Sequence, residues 1–369
     1  MKTGFVPSQF YHVRTILIHK CRDHYMLYYL RPITICSVLR RVIERTLVKR
    51  LYEYVTLNAN QRGFIHSPGT HLNTSLLESI LQSAKNNQSD VSIVFLDVQK
   101  AFDNIGHSHL RQTLNSTGVP ANLSTLIMNL QEHNITQVET HQGKTKPINI
   151  NRGVLQGSPL SPILSNIATN HILDELSEDS ITKEYGYELL QPHSKLTVMS
   201  FADDTVLIGK NIDCATELTR MALQEIGLCI NPSKSVVLSI KKGRFSTDSI
   251  TISDDYKINS HVQGDSIRYL GVDFLDQLVL NKDRLLNNLR NKVDTLVKSP
   301  LLQADQKYTV LNCSISPARV YPFQTIPLNK IPKNFLLTCD KILKSGLKEI
   351  LQIPIDIPDH MIYSARKHK

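Results

Sequence analysis

The sequence predicts an α+β fold: an antiparallel sheet with helices on one face, flanked by helical regions. Three observations lead there. Over residues 91–274, short β-branched and aromatic runs alternate with amphipathic helical patterns in the order β-α-β-α-β-β-α-β. Only Ala202-Asp203-Asp204 separates the apolar runs 196–201 and 205–208, the mark of a tight hairpin. On either side of this span the pattern turns mainly helical. The chain divides into a basic, mostly helical N-terminal part (1–90), a mixed central part (91–274) and a helical C-terminal part (275–369).

Each element follows from its residues. Val38, Leu39, Val42, Ile43, Leu47, Val48 and Leu51 make residues 37–51 an amphipathic helix, with Arg40, Arg41, Arg45, Lys49 and Arg50 on the rest of its surface. Leu72, Leu76, Leu77, Ile80, Leu81 and Ala84 repeat that spacing over 72–84. Val91-Ser92-Ile93-Val94-Phe95-Leu96 is a strand that stops at an Asp. Helical patterns follow near 107–132, and Ser161-Pro162 opens a helix over 161–177 with Pro in its first turn. After the hairpin come a helix near 213–227, strands at 235–240 and 268–274, and a helix at 281–298. No internal repeat or low-complexity tract interrupts the series.

Composition narrows the function. The 369 residues are 41% apolar, enough for a sizeable core, but no stretch reaches the roughly 18 uninterrupted apolar residues of a membrane span, which excludes an integral membrane protein. No apolar segment of a secretory signal opens the chain, so an intracellular place, nucleus or cytoplasm, is expected. Lys plus Arg is 42 against 33 for Asp plus Glu, a net charge of +9 that suits a polyanionic partner such as nucleic acid. The six cysteines stand more than ten residues apart, which excludes CxxC zinc sites and argues against a disulfide framework.

The chemistry concentrates at acidic positions. Asp203 and Asp204 are adjacent carboxylates at the tip of an apolar hairpin, where they repel each other and invite a cation. Magnesium, with its preference for carboxylate and phosphate oxygens, is the natural one. An Asp-Asp turn without a metal is the plain alternative, since Asp is a good turn residue. Asp97 shifts the balance. It ends the strand 93–96, and strand and hairpin can bring the three acids to one site where two metal ions clamp an in-line phosphoryl displacement. Between them, Gly153-Val154-Leu155-Gln156-Gly157-Ser158-Pro159-Leu160-Ser161-Pro162 forms a rigid turn before a helix, able to bring backbone close to a ligand. His107 and His109 have no neighbours in sequence to complete a metal site and read as surface or packing residues.

These segments together resemble the motifs of reverse transcriptases, in order and over nearly the whole chain. Phe95-Leu96-Asp97-Val98-Gln99-Lys100-Ala101-Phe102-Asp103 looks like motif A, the 153–162 turn followed by Ile163-Leu164-Ser165-Asn166 like motif B, and Phe201-Ala202-Asp203-Asp204 like motif C. Ile230-Asn231-Pro232-Ser233-Lys234-Ser235 resembles motif D and Arg268-Tyr269-Leu270-Gly271 the primer-grip motif E. Arg31-Pro32-Ile33-Thr34 and Gln61-Arg62-Gly63-Phe64 look like fingers motifs. The form of motif A, the Arg-Pro-Ile and Gln-Arg-Gly-Phe segments and Phe201 resemble non-LTR (LINE-like) retrotransposons, nearest the class that inserts into ribosomal DNA.

The resemblance implies a right-hand polymerase: fingers over 1–90, a ferredoxin-like antiparallel palm over 91–274 and a thumb-like helical region over 275–369. It implies RNA-directed DNA synthesis with an RNA template, a DNA primer and dNTPs. Two Mg2+ ions would be bound by Asp97, Val98, Asp203 and Asp204, with Asp97, Asp203, Asp204 and Lys234 carrying catalysis. Phe102, Gln156, Gly157 and Arg62 would bind substrate, and Tyr269, Leu270 and Gly271 would grip the primer. Three departures bear on the fingers and not on the acids: Leu30 where relatives usually have an aromatic residue, a loop at 21–29 without its usual Gly-Asp-Pro character, and Ser158 where many members have Asp. No zinc-knuckle cluster or endonuclease-sized region accompanies the motifs, so a polymerase-only fragment or a decayed copy is expected. A nucleic-acid-binding relic without activity is the alternative, and the presence of all three acids favours the enzyme. The resemblance leaves the oligomeric state open.

Overall fold

The computed structural model describes residues 6–19, 30–67, 69–98, 102–140, 142–189, 195–224, 230–253, 256–275, 277–354 and 356–358. They form two compact units, one of residues 1–73 with 83–261, the other of 74–82 with 262–369. The principal elements up to residue 261 are β1 (His12–His19), β2 (Leu30–Ile35), α1 (Val38–Leu51), α2 (Gly69–Asn86), β3 (Val91–Asp97), α3 (His107–Ser116), α4 (Ala121–Glu132), β4 (Ile135–Thr140), α5 (Ser161–Glu178), β5 (Val198–Phe201), β6 (Asp204–Gly209), α6 (Ile212–Gln224), β7 (Val236–Lys241), β8 (Ile250–Ser253) and β9 (Tyr256–Ser260).

The centre of the first unit is a β-α-β-β-α-β arrangement of β3, α5, β5, β6, α6 and β7. Its strands lie in the order β7-β3-β6-β5, every neighbouring pair antiparallel. This is the ferredoxin-like arrangement. Val94 and Leu96 of β3, Val198, Leu207 and Val237 pack with Ile172, Leu173 and Leu176 of α5 and Leu218 and Ala222 of α6, so both helices cover one face. The first six residues of β3 are all buried, which is why this strand reads as a continuous apolar run instead of an alternation. Beyond β7 the sheet departs from the expected antiparallel pattern: β9 joins β7 in parallel, with Val236 opposite Asn259.

The N-terminal part differs from the mostly helical expectation. β1 pairs antiparallel with β2 and parallel with β4, far along the chain. In β1 the side chains of Val13 and Thr15 are buried while His12 and Arg14 are exposed, a period of two carried partly by a threonine. The Thr15 and Thr136 hydroxyls lie 2.7 Å apart and join β1 to β4.

α1 also faces differently from its hydrophobic pattern. Arg40, Glu44, Leu47 and Leu51 form its buried stripe, while Val38, Leu39 and Val42 are 76%, 62% and 55% exposed. Arg40 is fully buried because it is fully paired. Its Nε donates to Glu44 Oε1 (2.7 Å), and its two terminal nitrogens donate to Phe10 O, Asn134 Oδ1 and Leu130 O. A second core joins Leu47 and Leu51 to Leu110 and Leu114 of α3, Leu126 and Ile127 of α4, and Ile163, Leu164 and Ile167 of α5. α5 therefore belongs to both cores, its first half here and its second half beneath the sheet.

In the second unit, residues 268–274 form a hairpin where a single strand was expected: β10 (Ile267–Tyr269) and β11 (Val272–Phe274) joined by Leu270 and Gly271, both at positive φ (45° and 84°). α7 (Lys282–Val297) packs closely on α8 (Lys333–Ile350): a Cβ on Gly346 would lie 2.3 Å from Val293 Cγ1. The middle of α2 belongs to this unit through buried Glu78, which accepts from Leu278 N and Lys330 Nζ. Among the described residues no helix is long and apolar enough to cross a membrane.

Candidate active site

β3 runs through the core and delivers one exposed carboxylate, Asp97, at its end. Directly opposite it on β6 stands Asp204. Asp204 also pairs with Phe201, so the β5–β6 hairpin has a two-residue turn, Ala202-Asp203, one residue tighter than the sequence suggested. Ala202 adopts φ 58°, a conformation that costs an L-residue with a Cβ. Asp203 occupies the tip and is exposed. Hairpin register and turn thus place the acids of two distant segments at one end of the sheet.

Asp204 records this crowding. Although the residue is exposed overall, its carboxyl has lost part of its water, and its pKa is pushed up to about 6 by that desolvation, then by the carboxylates of Asp203 and Asp97. Like charges held together in this way are the donor chemistry that a hard divalent cation neutralises. As they stand, no three or more His, Cys, Asp or Glu side chains of the described residues form a metal-holding group. The fit to a cation rests on the acids' charge and register.

The motif D segment holds β3 from its other edge. Asn231 N donates to Asp97 O (2.8 Å), and Asp97 N donates to Ser235 Oγ (3.1 Å), which itself donates to Asn231 O. Ile230 bridges Val98. Lys234 is the candidate that the sequence offers in this segment, whereas Asn231 and Ser235 make the contacts to Asp97. An Asn-Pro turn leading into a strand was their only local signal. Lys234 itself is exposed on that turn, two residues before Val236, which pairs with Phe95.

The candidate substrate residues fall in two groups. Motif A continues into motif B: Val154 N donates to Phe102 O, Gln156 Nε2 donates to Asp103 Oδ1 (2.9 Å), and a Cβ on Gly153 would lie 2.8 Å from Asp103 Cα. Phe102 is half-buried, with the ring of Phe64 edge-on at 6.3 Å. Gly157, at φ 116°, lies against β2, where a Cβ would meet Thr34 O at 2.4 Å. Ser158 donates to buried Glu44 (2.8 Å) and ties the turn to α1. Arg62, in contrast, donates to Asn73 Oδ1 (2.7 Å) and is held through its backbone N by Ser200 O. Residues 99–101 of motif A and the 21–29 loop lie outside the described residues.

Tyr269, Leu270 and Gly271 lie in the second unit, at the β10–β11 turn. Tyr269 is buried, the Tyr321 hydroxyl donates to Leu270 O, and the Tyr321 ring lies against Gly271.

Comparison with known proteins gives consistent findings. Residues 24–274 match the family described as Reverse transcriptase (RNA-dependent DNA polymerase). The chain is 29% identical to the Retrovirus-related Pol polyprotein from type-1 retrotransposable element R2 of Popillia japonica, over 98% of this chain and 50% of that protein. It is 28% identical to the R2 polyprotein of Nasonia vitripennis (97% and 34%) and 25% identical to that of the type-2 element R2DM of Drosophila melanogaster (99% and 34%). The chain spans a third to a half of the length of these relatives. Among solved structures, apo telomerase from Candida tropicalis shares the fold, with a TM-score of 0.50 and 12% identity over 95% of this chain and 60% of that one.

Proposed function

The chain belongs to the reverse transcriptase family, and from that premise we propose that it copies an RNA template into DNA, adding nucleotides from dNTPs to the 3′-hydroxyl of a DNA primer, as the polymerase part of a non-LTR retrotransposon protein of the ribosomal-DNA-inserting class. The observation that carries the reading is the register of the acids: Asp97 directly opposite Asp204, with Asp203 on the turn beside it. We place its work inside the cell, in nucleus or cytoplasm.

The family works with divalent metal ions, and in this reading Asp97 and Asp203 would hold two magnesium ions, with Val98 and Asp204 in support. Such ions would supply positive charge to the triphosphate and to the attacking oxygen. Asp97 and Asp203 supply the charge that holds the reacting groups together. Asp204 keeps that pair in register and adds negative charge beside them. Lys234 gives a proton to the departing pyrophosphate. Phe102 closes the space beneath the sugar, Gln156 and Gly157 shape the turn beside it, and Arg62 faces the phosphates. Tyr269, Leu270 and Gly271 grip the primer strand.

Primer extension on an RNA template tests the assignment, run beside filter binding of the same template–primer. Asp203→Asn abolishes extension and leaves binding nearly intact, because it removes a ligand charge and no basic surface. Extension within tenfold of wild type would remove Asp203 from the reaction.

A further inference from the structure

The turn that carries Asp203 is held by a side chain from outside the palm motifs. Residues 60–62 run along the free edge of β5: Ser200 N donates to Asn60 O (2.9 Å), Arg62 N donates to Ser200 O (2.9 Å), and Gln61 bridges Ser200 in parallel. Gln61 is 1% exposed. Its Oε1 accepts from Ala202 N (2.8 Å) and Gly63 N (2.9 Å), and its Nε2 donates to Ser200 Oγ (3.2 Å) and toward Ala202 O (3.4 Å). The carboxamide therefore satisfies the amide of Ala202, the residue at φ 58° immediately before Asp203, and shares its carbonyl with Ser200 Oγ, which donates to it at 3.2 Å. Gly63 makes the approach possible, since a Cβ there would lie 2.2 Å from Ala202 N.

We propose that Gln61 is a positioning residue for nucleotide addition: its carboxamide latches the strained Ala202 turn and so fixes where the Asp203 carboxylate stands. An alanine does not choose a left-handed conformation for itself. Without the latch the turn is free to relax toward negative φ, which swings the next residue. With it, Ala202 is held by a buried partner 141 residues earlier in the chain, and the acid that follows it is held in place. The inference rests on the polymerase reading for its consequence and on the hydrogen bonds alone for its existence, so the two are tested separately.

Gln61→Met keeps the length of the side chain and removes all four contacts. In the full chain without nucleic acid, hydrogen exchange at the Ala202 amide should quicken at least tenfold, with the amides of Val206 and Leu207 unchanged. In primer extension the single-turnover rate should fall at least tenfold, while template–primer and dNTP dissociation constants stay within twofold. Adding Ala202→Gly to Gln61→Met should recover at least threefold of that rate, because glycine adopts φ 58° without a latch. A purely structural Gln61 would show loss of binding in step with rate and no recovery by glycine. Unchanged exchange at Ala202, a rate within threefold of wild type, or no recovery by Ala202→Gly would each overturn the proposal. If wild type extends no primer, the polymerase reading fails and the exchange result alone decides the latch. If Gln61→Met does not fold, Gln61→Ala, which removes the same four contacts, is read by the same measurements and limits.

Discussion

Asp97 and Asp204 face one another as a direct pair across the β3–β6 ladder. Like charges in that relationship destabilise a sheet, and the Asp204 pKa is raised from 3.8 to about 6, first by loss of water around its carboxyl and then by the carboxylates of Asp203 and Asp97. The native state then holds a proton between those values that the unfolded chain has released, so the native state gains stability as pH falls through 6 and carries the full cost of desolvation and repulsion above it. Asp204→Asn, which cannot ionise, should melt higher than wild type at pH 8 in the presence of a chelator, and the gain should shrink as pH falls and vanish below about 4. A gain that is the same at pH 8 and pH 5 would assign it to packing and not to charge.

Arg40 and Glu44 make a second prediction, about stability. Arg40→Met strands the Glu44 carboxylate in the core, along with the acceptors at Phe10, Leu130 and Asn134. Breaking one side of a buried ion pair costs about 3–5 kcal/mol, whereas replacing both partners with apolar residues of similar volume is often neutral. Denaturant unfolding should therefore show a large loss for Arg40→Met and recovery of most of it in Arg40→Met/Glu44→Met. Ser158 loses its acceptor in the double variant, so recovery should stop short of wild type. A double variant as unstable as the single one would place the cost in lost packing.

What could be read in advance depended on distance along the chain. β3 and the β5–β6 hairpin were legible because an unbroken apolar run and a short turn between apolar runs are local signals, and the acids lie at their ends. Arg40 was misplaced on the surface because its burial depends on Leu130 and Asn134, some ninety residues away. β1 escaped notice because its inward residues include Thr15, which finds its partner at Thr136. The 268–274 hairpin read as one strand because the turn places a leucine at positive φ, a conformation nothing in a Leu-Gly pair demands. Gln61 is the sharpest case. In sequence it belongs to the Gln-Arg-Gly-Phe segment that resembles a fingers motif, and its contact with the hairpin turn appears only when Ala202 is folded against it.

Lys234 gives the third prediction. It is exposed on the turn whose other residues, Asn231 and Ser235, hold the backbone of Asp97. If its ammonium protonates the leaving pyrophosphate, Lys234→Ala should slow single-turnover addition by about 10²–10⁴-fold, the usual worth of a general acid. The substitution leaves the backbone collar in place, so folding and template binding should be unaffected. An unchanged single-turnover rate would make Lys234 a solvated surface residue.

The last prediction concerns the sugar. Phe102 is half-buried at the join of motifs A and B, its carbonyl bonded to Val154 N and its ring met edge-on by Phe64 at 6.3 Å. Phe64 is itself held in place: Tyr52 Oη donates to its carbonyl (3.0 Å), and Asn166 Nδ2 donates to the carbonyl of Gly63 (2.9 Å). A ring backed by a fixed neighbour yields little, and forcing extra atoms against a packed surface costs about 1–3 kcal/mol, roughly ten- to hundredfold in rate. If Phe102 lies beneath the incoming ribose, that penalty falls on the 2′-hydroxyl. Phe102→Val opens the space while keeping an apolar contact with the surrounding core. Single-nucleotide incorporation should then show dNTP use largely preserved and the ratio of dNTP to rNTP efficiency lowered tenfold or more. A variant that stays folded and uses dNTPs well at an unchanged ratio would show that Phe102 serves the core alone and that sugar choice is made by other residues.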